Sequence, residues 1–541
     1  MWRTRLLIGL MALLPAVGMV IGNAYRAAAS PAMRTISRAE LEDKIRGGWA
    51  GQMIGVTYGA PTEFRFRGKI NETPRDWKPE ELKGALDQDD LYVEMTFAGV
   101  MDRVGLDATT EQYGEAFKDS KYMLWHANLA ARRLLRRGVK APASGNPAHN
   151  LHANDIDFQI ESDFIGLMCP GLPRAAQHYA ERVGHVMNYG DGVYGGVFFG
   201  GMYAAAFFEK DPRKVVEAGL AAIPAGSVYA QVIRDVLKWS AENPDWKKTW
   251  RLIEDKWDKD DPCPDGALRP FNIDASLNGA YVALGLLYGN GDFEKTMEVS
   301  MRAGQDSDCN PSSAVGILGV MLGYKRIPAK WTAPLGAIAD SKFSYTDYSF
   351  NSIVASTVKR AQFVIAKEGG KVSAESCEIP AQSPATLKLE QFAPGKVIER
   401  IATAGARWKW QGAWEKSGGD EKGMRSKTKG AEATVTFEGT GAMLVGSLGP
   451  DCGTVFVFLD NVLMTRGQGP APPTSLTFFG GMDPLTIDAY NEDGVRDGEA
   501  LWGKFDLAPG KHVLRVVVRG EPYPGSKGAW VHIEDLIVFR K

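Results

Sequence analysis

Cysteine is scarce in this chain: five in 541 residues, at positions 169, 263, 309, 377 and 452. None forms a C-x-x-C pair, so a disulfide scaffold is excluded and a structural zinc site is not expected. Charge of one sign is missing too. Sixty-three Lys and Arg stand against 65 Asp and Glu, a net charge of -2, which gives no electrostatic reason to bind nucleic acid or an anionic membrane. Beyond the N-terminal segment no run is apolar enough to span a bilayer. Walker A, H-E-x-x-H and G-x-S-x-G sequences are all absent, leaving phosphotransferase, zincin and α/β-hydrolase chemistry without support. A largely disordered chain is excluded by 44% hydrophobic and 24% charged residues.

What is present begins with a leader. Arg3 and Arg5 precede an apolar run from Leu6 to Gly22, and Ala27-Ala28-Ala29-Ser30 follows. A basic start, an apolar core and a small-residue site predict a signal peptide over residues 1–29, cleaved after Ala29. Uncleaved, the same run is a membrane anchor; Pro15 and the glycines inside it favour cleavage. The mature chain is expected in the periplasm or outside the cell, with no stable membrane span.

Length alone suggests about three domains, but the patterning gives two. From 37 to 366 the apolar spacing is helical: Leu41, Ile45, Trp49 and Met53 share one face, and Trp246, Trp250, Ile253 and Trp257 another. Residues 367–397, with Gly369-Gly370, Pro380, Pro384 and Pro394, look like a linker with little to bury. From 398 to 541 period-two runs such as Val455-Phe-Val-Phe-Leu459 and Val513-Leu-Arg-Val-Val-Val518 take over. The expected fold is therefore multidomain, all-α followed by an antiparallel, jelly-roll-like β-sandwich.

Two acidic clusters stand at helix starts, Asp87-Gln88-Asp89-Asp90 and Gly304-Gln305-Asp306-Ser307-Asp308-Cys309. Each alone reads as ordinary capping, because the helix dipole favours carboxylates there. Two in one domain suggest convergence, which carboxylates resist unless a cation lies between them. All-oxygen ligation suits Mg²⁺, Mn²⁺ or Ca²⁺. An EF-hand is rejected: Pro311 stands where that loop needs Gly, and Ile317 where it needs Glu.

These motifs carry a resemblance. Asp43-Lys-Ile-Arg-Gly-Gly-Trp-Ala-Gly-Gln-Met-Ile-Gly55, Gly59-Ala-Pro-Thr-Glu-Phe64, Gln88-Asp89-Asp90 and Gly304-Gln-Asp-Ser-Asp-Cys309 resemble, in order and spacing, the ADP-ribosylglycohydrolase family over roughly residues 37–345. The resemblance implies an all-α fold with a magnesium pair. It implies Asp89, Asp90, Asp306, Asp308 and Gln88 as metal ligands and Glu63 as a catalytic carboxylate. The family has Thr where this chain has Gln88 and Cys309. Gln88 still offers a carbonyl oxygen, whereas Cys309 is a poor ligand for a hard cation. One or two Mg²⁺ ions are expected.

A third acidic stretch, Asp155-Ile-Asp-Phe-Gln-Ile-Glu-Ser-Asp163, is either the charged face of an exposed helix or part of the site. In the second case Glu161 or Asp163 supplies a carboxylate opposite Glu63, as glycosidic hydrolysis commonly requires, and Asp155 and Asp157 face substrate. The Gly184-His-Val-Met-Asn-Tyr189 segment resembles the family's substrate side, which offers His185, Asn188 and Tyr189 as contacts. Trp125 is core or a stacking platform. The Asp260–Gly266 loop reads as turns, with metal binding the weaker alternative.

The C-terminal region resembles galactose-binding-like sandwiches appended to secreted carbohydrate-active enzymes, through Val435-Thr-Phe-Glu-Gly-Thr-Gly441 and Leu507-Ala-Pro-Gly-Lys-His-Val-Leu514. The expected protein is an exported metal-dependent hydrolase of glycosidic bonds. It acts on ADP-ribosyl conjugates, a ribose-like furanoside or another glycoside, so its partner is a small-molecule or glycan substrate. The alternative is a non-catalytic glycan-binding or surface protein with a degenerate metal site.

Overall fold

The computed structural model describes residues 32–258, 261–417, 423–467 and 485–541. The expected signal peptide lies outside the described residues. Among them, sixteen α-helices fall between Arg38 and Lys367, and no helix is long and apolar enough to cross a membrane. Antiparallel sheets follow. Order and class are those expected.

Helices Arg38–Gly59, Asp191–Ala206, Ala275–Gly289 and Cys309–Leu322 form the centre of the helical domain. The last three and the Gly47–Gly59 half of the first are small or apolar on nearly every side, and almost every residue there is buried. Helices with polar residues all along one face stay outside. Trp246–Trp257 is one: Trp250 and Ile253 are fully buried, while Trp246 and Trp257 pack half-buried at its flanks. Leu41, Ile45, Trp49 and Met53 are all inside the core.

Residues 367–397 are not simply a linker. Ser376–Pro380 pairs antiparallel with both Met33–Ser37 and Lys371–Val372. It inserts Cys377 and Ile379 into the helical core. The Gly and Pro content suggested open chain, but the alternation of Cys377 and Ile379 with polar neighbours is that of a half-buried strand.

In the C-terminal domain, the long strands Glu432–Leu448 and Arg496–Pro522 pair antiparallel and are flanked by Gly453–Leu459, Asp535–Arg540 and Lys396–Ala402. Trp408, Val435, Leu444, Val457, Leu514 and Val516 fill the interior. Trp408 belongs to this core and stacks on Trp410 with ring centroids 5.5 Å apart.

The sheet domain docks on the helical one through apolar and ionic contacts. Leu151 and Ala267 pack against Met443, Val445, Phe505 and Phe539. The helix His126–Arg136 and its C-cap present arginines to an acidic edge. Arg137 Nη2 lies 2.9 Å from Asp488 Oδ1, and Arg132 Nη2 is 2.9 Å from Asp493 Oδ2. Burial opposes a charge on Asp488, but Arg137, Arg466 and Arg133 hold its carboxyl well below the usual range.

Candidate functional site

The first helix and Cys309–Leu322 run antiparallel with almost no side chain between them. Gly47, Gly51, Gly55 and Gly59 recur every four residues on one helical face. A Cβ on each would stand 2.3, 2.1, 2.4 and 1.9 Å from the carbonyl oxygens of Gly319, Val315, Pro311 and Ser307. Backbone-to-backbone contact at this range requires glycine. Beyond Gly59 the two chains stay joined. Thr62 and Ser307 share a hydroxyl hydrogen bond of 2.8 Å, Phe64 N donates to Gln305 O at 2.9 Å, and Gln305 N donates to Phe66 O at 3.0 Å. Gln305 is held at a left-handed φ of 54° by its own amide, which accepts from Asn272 N and donates to Pro270 O.

This junction brings Glu63 to the acidic loop. Carboxylate oxygens of Glu63, Asp306 and Asp308 lie within 4.8 Å of one another; so do ligand atoms of Asp90, Asp308 and Cys309. Asp308 belongs to both groups. Capping does not explain them: Gln88 and Asp308 occupy N-cap positions, yet neither side chain bonds its helix. Both carboxylate oxygens of Asp90, and one each of Asp306 and Asp308, are buried without a hydrogen-bond partner.

Buried unpaired carboxylates bind protons strongly. Glu63 is exposed at the cleft, yet partial desolvation, then the charges of Asp308 and Asp89, pushes it up to about 8. Burial chiefly, with Glu63 and Asp90 adding to it, takes Asp306 to about 8. Asp90 and Asp308 are raised well above the carboxylate range by burial and by their acidic neighbours. A hard divalent cation would relieve this repulsion and satisfy the orphaned oxygens, so the residues present fit one. Cys309 does not add to that set. Burial and its acidic neighbours push its thiol well up, and a neutral thiol is a poor partner for Mg²⁺.

Glu63 and Asp306 form the acidic floor of a cleft of about 570 Å³, while Asp90 and Asp308 are buried and do not line it. Gln88 and Asp89 also line it, and Phe64, Tyr92, Trp125 and Phe271 add aromatic side chains to its lining. Asp157 also reaches the cleft while capping the helix His126–Arg136, accepting from Asn128 N at 2.9 Å and Ala127 N at 3.2 Å. Burial pushes its carboxyl up to about 6.

The remaining wall comes from the β domain. Arg496, Asp497 and Glu499 line the cleft, and the Arg496 guanidinium lies 5.6 Å from the Trp125 ring centroid. They sit at a break in strand register between Arg496 and Glu499, and such bulges re-aim side chains. Gly498, at φ 75°, allows the turn. Sequence reasoning missed these residues; the run Asn491-Glu-Asp-Gly-Val-Arg-Asp-Gly-Glu499 was the available signal.

Several expected site residues lie elsewhere. The stretch 155–163 is almost entirely buried rather than an exposed charged face. Glu161 accepts from the Asn128 amide, and Asp163 accepts from Ser313 Oγ at 3.1 Å; neither lines the cleft. Both acids are buried at one-turn helices, Glu161 just past Asp157–Ile160 and Asp163 at the start of Asp163–Leu167. His185 bonds Glu181 O and, at 2.9 Å, Glu390, which ties a helix end to the segment after Pro380. Asn188 is a buried staple whose amide donates to Ala153 O and Asp155 O and accepts from Phe158 N. Tyr189 packs edge-on to His185. These three shape the scaffold outside the cleft. Asp155 joins a separate cluster behind the cleft wall.

The ADP-ribosylglycohydrolase family model matches residues 37–356, more than half of the chain and all of the acidic motifs above. No curated protein matches. Among solved structures, an ADP-ribosylglycohydrolase-related protein complex aligns at 15% identity and a TM-score of 0.37, over 60% of this chain and 98% of that one. A Paenibacillus xanthan lyase aligns at 6% identity and 0.19, over 30% of this chain and 15% of that one. A two-domain esterase active on acetylated mannans aligns at 11% identity and 0.20, over 38% and 51%.

Proposed function

The chain belongs to the ADP-ribosylglycohydrolase family, and from that membership we propose that it is an exported, Mg²⁺-dependent hydrolase of glycosidic bonds. The observation that carries this reading is the set of buried carboxylate oxygens of Asp90, Asp306 and Asp308 with no hydrogen-bond partner, of which Asp306 lines an open cleft. Asp89, Asp90, Asp306, Asp308 and the Gln88 amide would hold the ion. When bound, it supplies charge neutralisation and Lewis-acid polarisation.

This chain's own residues do the rest. Glu63 lines the cleft beside Asp306 and Asp308, where it can act as the acid or base that exchanges a proton with the leaving oxygen or with water. Trp125, 43% exposed in the cleft lining, is the side chain best placed to stack on a ring. Arg496 has two buried guanidinium nitrogens without a hydrogen-bond partner, Nε and Nη2, which suit an anionic group such as a phosphate or a uronate. The favoured substrate is therefore a glycoside with a negative charge near the scissile bond, ADP-ribosyl conjugates included. The leader up to Ala29 supports action outside the cytoplasm. N-terminal sequencing of the mature protein tests that part, and an intact residue 1 in the purified native protein would refute cleavage.

Cys309, in place of a hydroxyl ligand, favours the second reading, a glycan-binding protein with a lapsed metal site. A panel of ADP-ribosyl peptides, aryl furanosides and aryl uronides, assayed with Mg²⁺ and with EDTA, separates the two. Mg²⁺-dependent turnover of an anionic member supports hydrolysis, and binding without turnover across the panel supports the second reading.

A further inference from the structure

Behind the wall that carries Trp125, four side chains of different chemistry meet. Ligand atoms of His126, His152, Asp155 and Cys263 all lie within 4.8 Å of one another. His152 Nδ1 is 2.8 Å from Asp155 Oδ2, and His126 Nδ1 is 3.6 Å from the same oxygen. Cys263 Sγ lies 3.8 Å from both Nδ1 atoms. Ligands around one tetrahedral zinc, at its usual Zn–N and Zn–S lengths, are separated by about 3.3–3.6 Å. Small movements would bring all four to those separations.

The donor set is as specific as the spacing. Two imidazoles, one thiol and one carboxylate make a borderline-soft set that suits zinc-class ions and not Mg²⁺ or Ca²⁺. His152, Asp155 and Cys263 are buried, and His126 is the ligand that lines the cleft. His126 is also held at a left-handed φ of 45°, which aims its ring inward. Outer contacts complete the arrangement. His152 Nε2, buried and without a hydrogen-bond partner, faces Glu499 Oε2 at 3.6 Å, as metal-bound imidazoles commonly face a carboxylate. Cys263 N donates to Asp261 Oδ1 at 2.8 Å, which fixes the loop carrying the thiol.

We propose that His126, His152, Asp155 and Cys263 form a site for one zinc-class divalent ion, separate from the carboxylate floor. Binding replaces the Cys263 S–H bond with a metal–sulfur bond and releases that proton to solvent. The site joins the first turn of helix His126–Arg136, the segment 152–155 and the loop at 263. Through Glu499 it also touches the β domain, so it braces the cleft wall where the two domains meet.

Cobalt reports on this directly. Metal-free full-length protein titrated with Co²⁺ should develop tetrahedral d–d bands and a thiolate-to-cobalt charge-transfer band, both bleached by one equivalent of Zn²⁺. Cys263→Ser should abolish the charge-transfer band, whereas Cys309→Ser and Asp306→Ala with Asp308→Ala should keep it. Absence of the band in the wild type, its survival in Cys263→Ser, or its loss in Cys309→Ser would overturn the proposal. If Cys263→Ser fails to fold, His126→Ala serves instead, at the most exposed ligand. It should weaken Zn²⁺ binding at least 10-fold, and unchanged affinity would overturn the assignment.

Discussion

A β-carbon on Gly59 would stand 1.9 Å from the carbonyl oxygen of Ser307. The φ of Gly59 is -84°, so the requirement is for space and not for a left-handed backbone. Ser307 lies between Asp306 and Asp308, so a methyl at Gly59 pushes against the backbone of the acidic loop. Gly59→Ala is expected to cost roughly 1–3 kcal/mol, as overpacking does. It should also weaken Mg²⁺ binding at temperatures where the protein remains folded. Urea denaturation and calorimetric Mg²⁺ titration of the same variant check both effects.

The acidic floor makes the benefit of a cation depend on pH. The buried Asp306 carboxyl moves from 3.8 up to about 8 on folding. Groups raised in the folded state contribute stability below their unfolded pKa and lose it as pH rises through the folded value. The metal-free protein therefore loses this contribution between about pH 4 and pH 8. The Tm difference between Mg²⁺-loaded and EDTA-treated protein should widen across that window. A constant difference would show that the carboxylates are not coupled to the ion.

Arg496 reaches the cleft from the other domain with two unpaired nitrogens. Hydrogen bonds to charged groups contribute about 1.5–3 kcal/mol, or about 10- to 100-fold in affinity. Arg496→Gln should raise KM for an anionic substrate by that factor and leave KM for a neutral aryl glycoside nearly unchanged. Steady-state kinetics on matched charged and neutral substrates measures the contrast.

Asp488 is the buried counter-charge to Arg137, Arg133 and Arg466 at the domain junction. Removing one partner leaves guanidinium charge buried without compensation, which typically costs about 3–5 kcal/mol. Asp488→Ala should lower Tm and loosen the β domain, which limited proteolysis between residues 380 and 398 would detect. An unchanged digestion pattern would mean that the apolar contacts of Leu151 and Ala267 suffice for docking.

Sequence alone conveyed the helical domain well, because its stripes, such as Leu41, Ile45, Trp49 and Met53, and its acidic motifs are local patterns. Convergence of Asp90 with Asp308 was inferable from charge repulsion together with family resemblance. The strand around Cys377 and Ile379 was hidden, because its partner Met33–Ser37 is far away in sequence. Glu161 and Asp163 were inviting as carboxylates, but their direction depends on one-turn helices whose orientation no periodicity reveals. The contributions of Arg496 and Glu499, and the meeting of His126, His152, Asp155 and Cys263, depend on domain docking and long-range packing. Neither has a spacing signature in the chain.

The central claim is that a divalent cation held by the two acidic motifs makes this cleft hydrolytic. Turnover of a responsive glycoside should vanish in EDTA, return with Mg²⁺, and be lost in Asp306→Ala with Asp308→Ala whatever the Mg²⁺ concentration. Wild-type turnover by that double variant, or full activity in EDTA, would contradict the account.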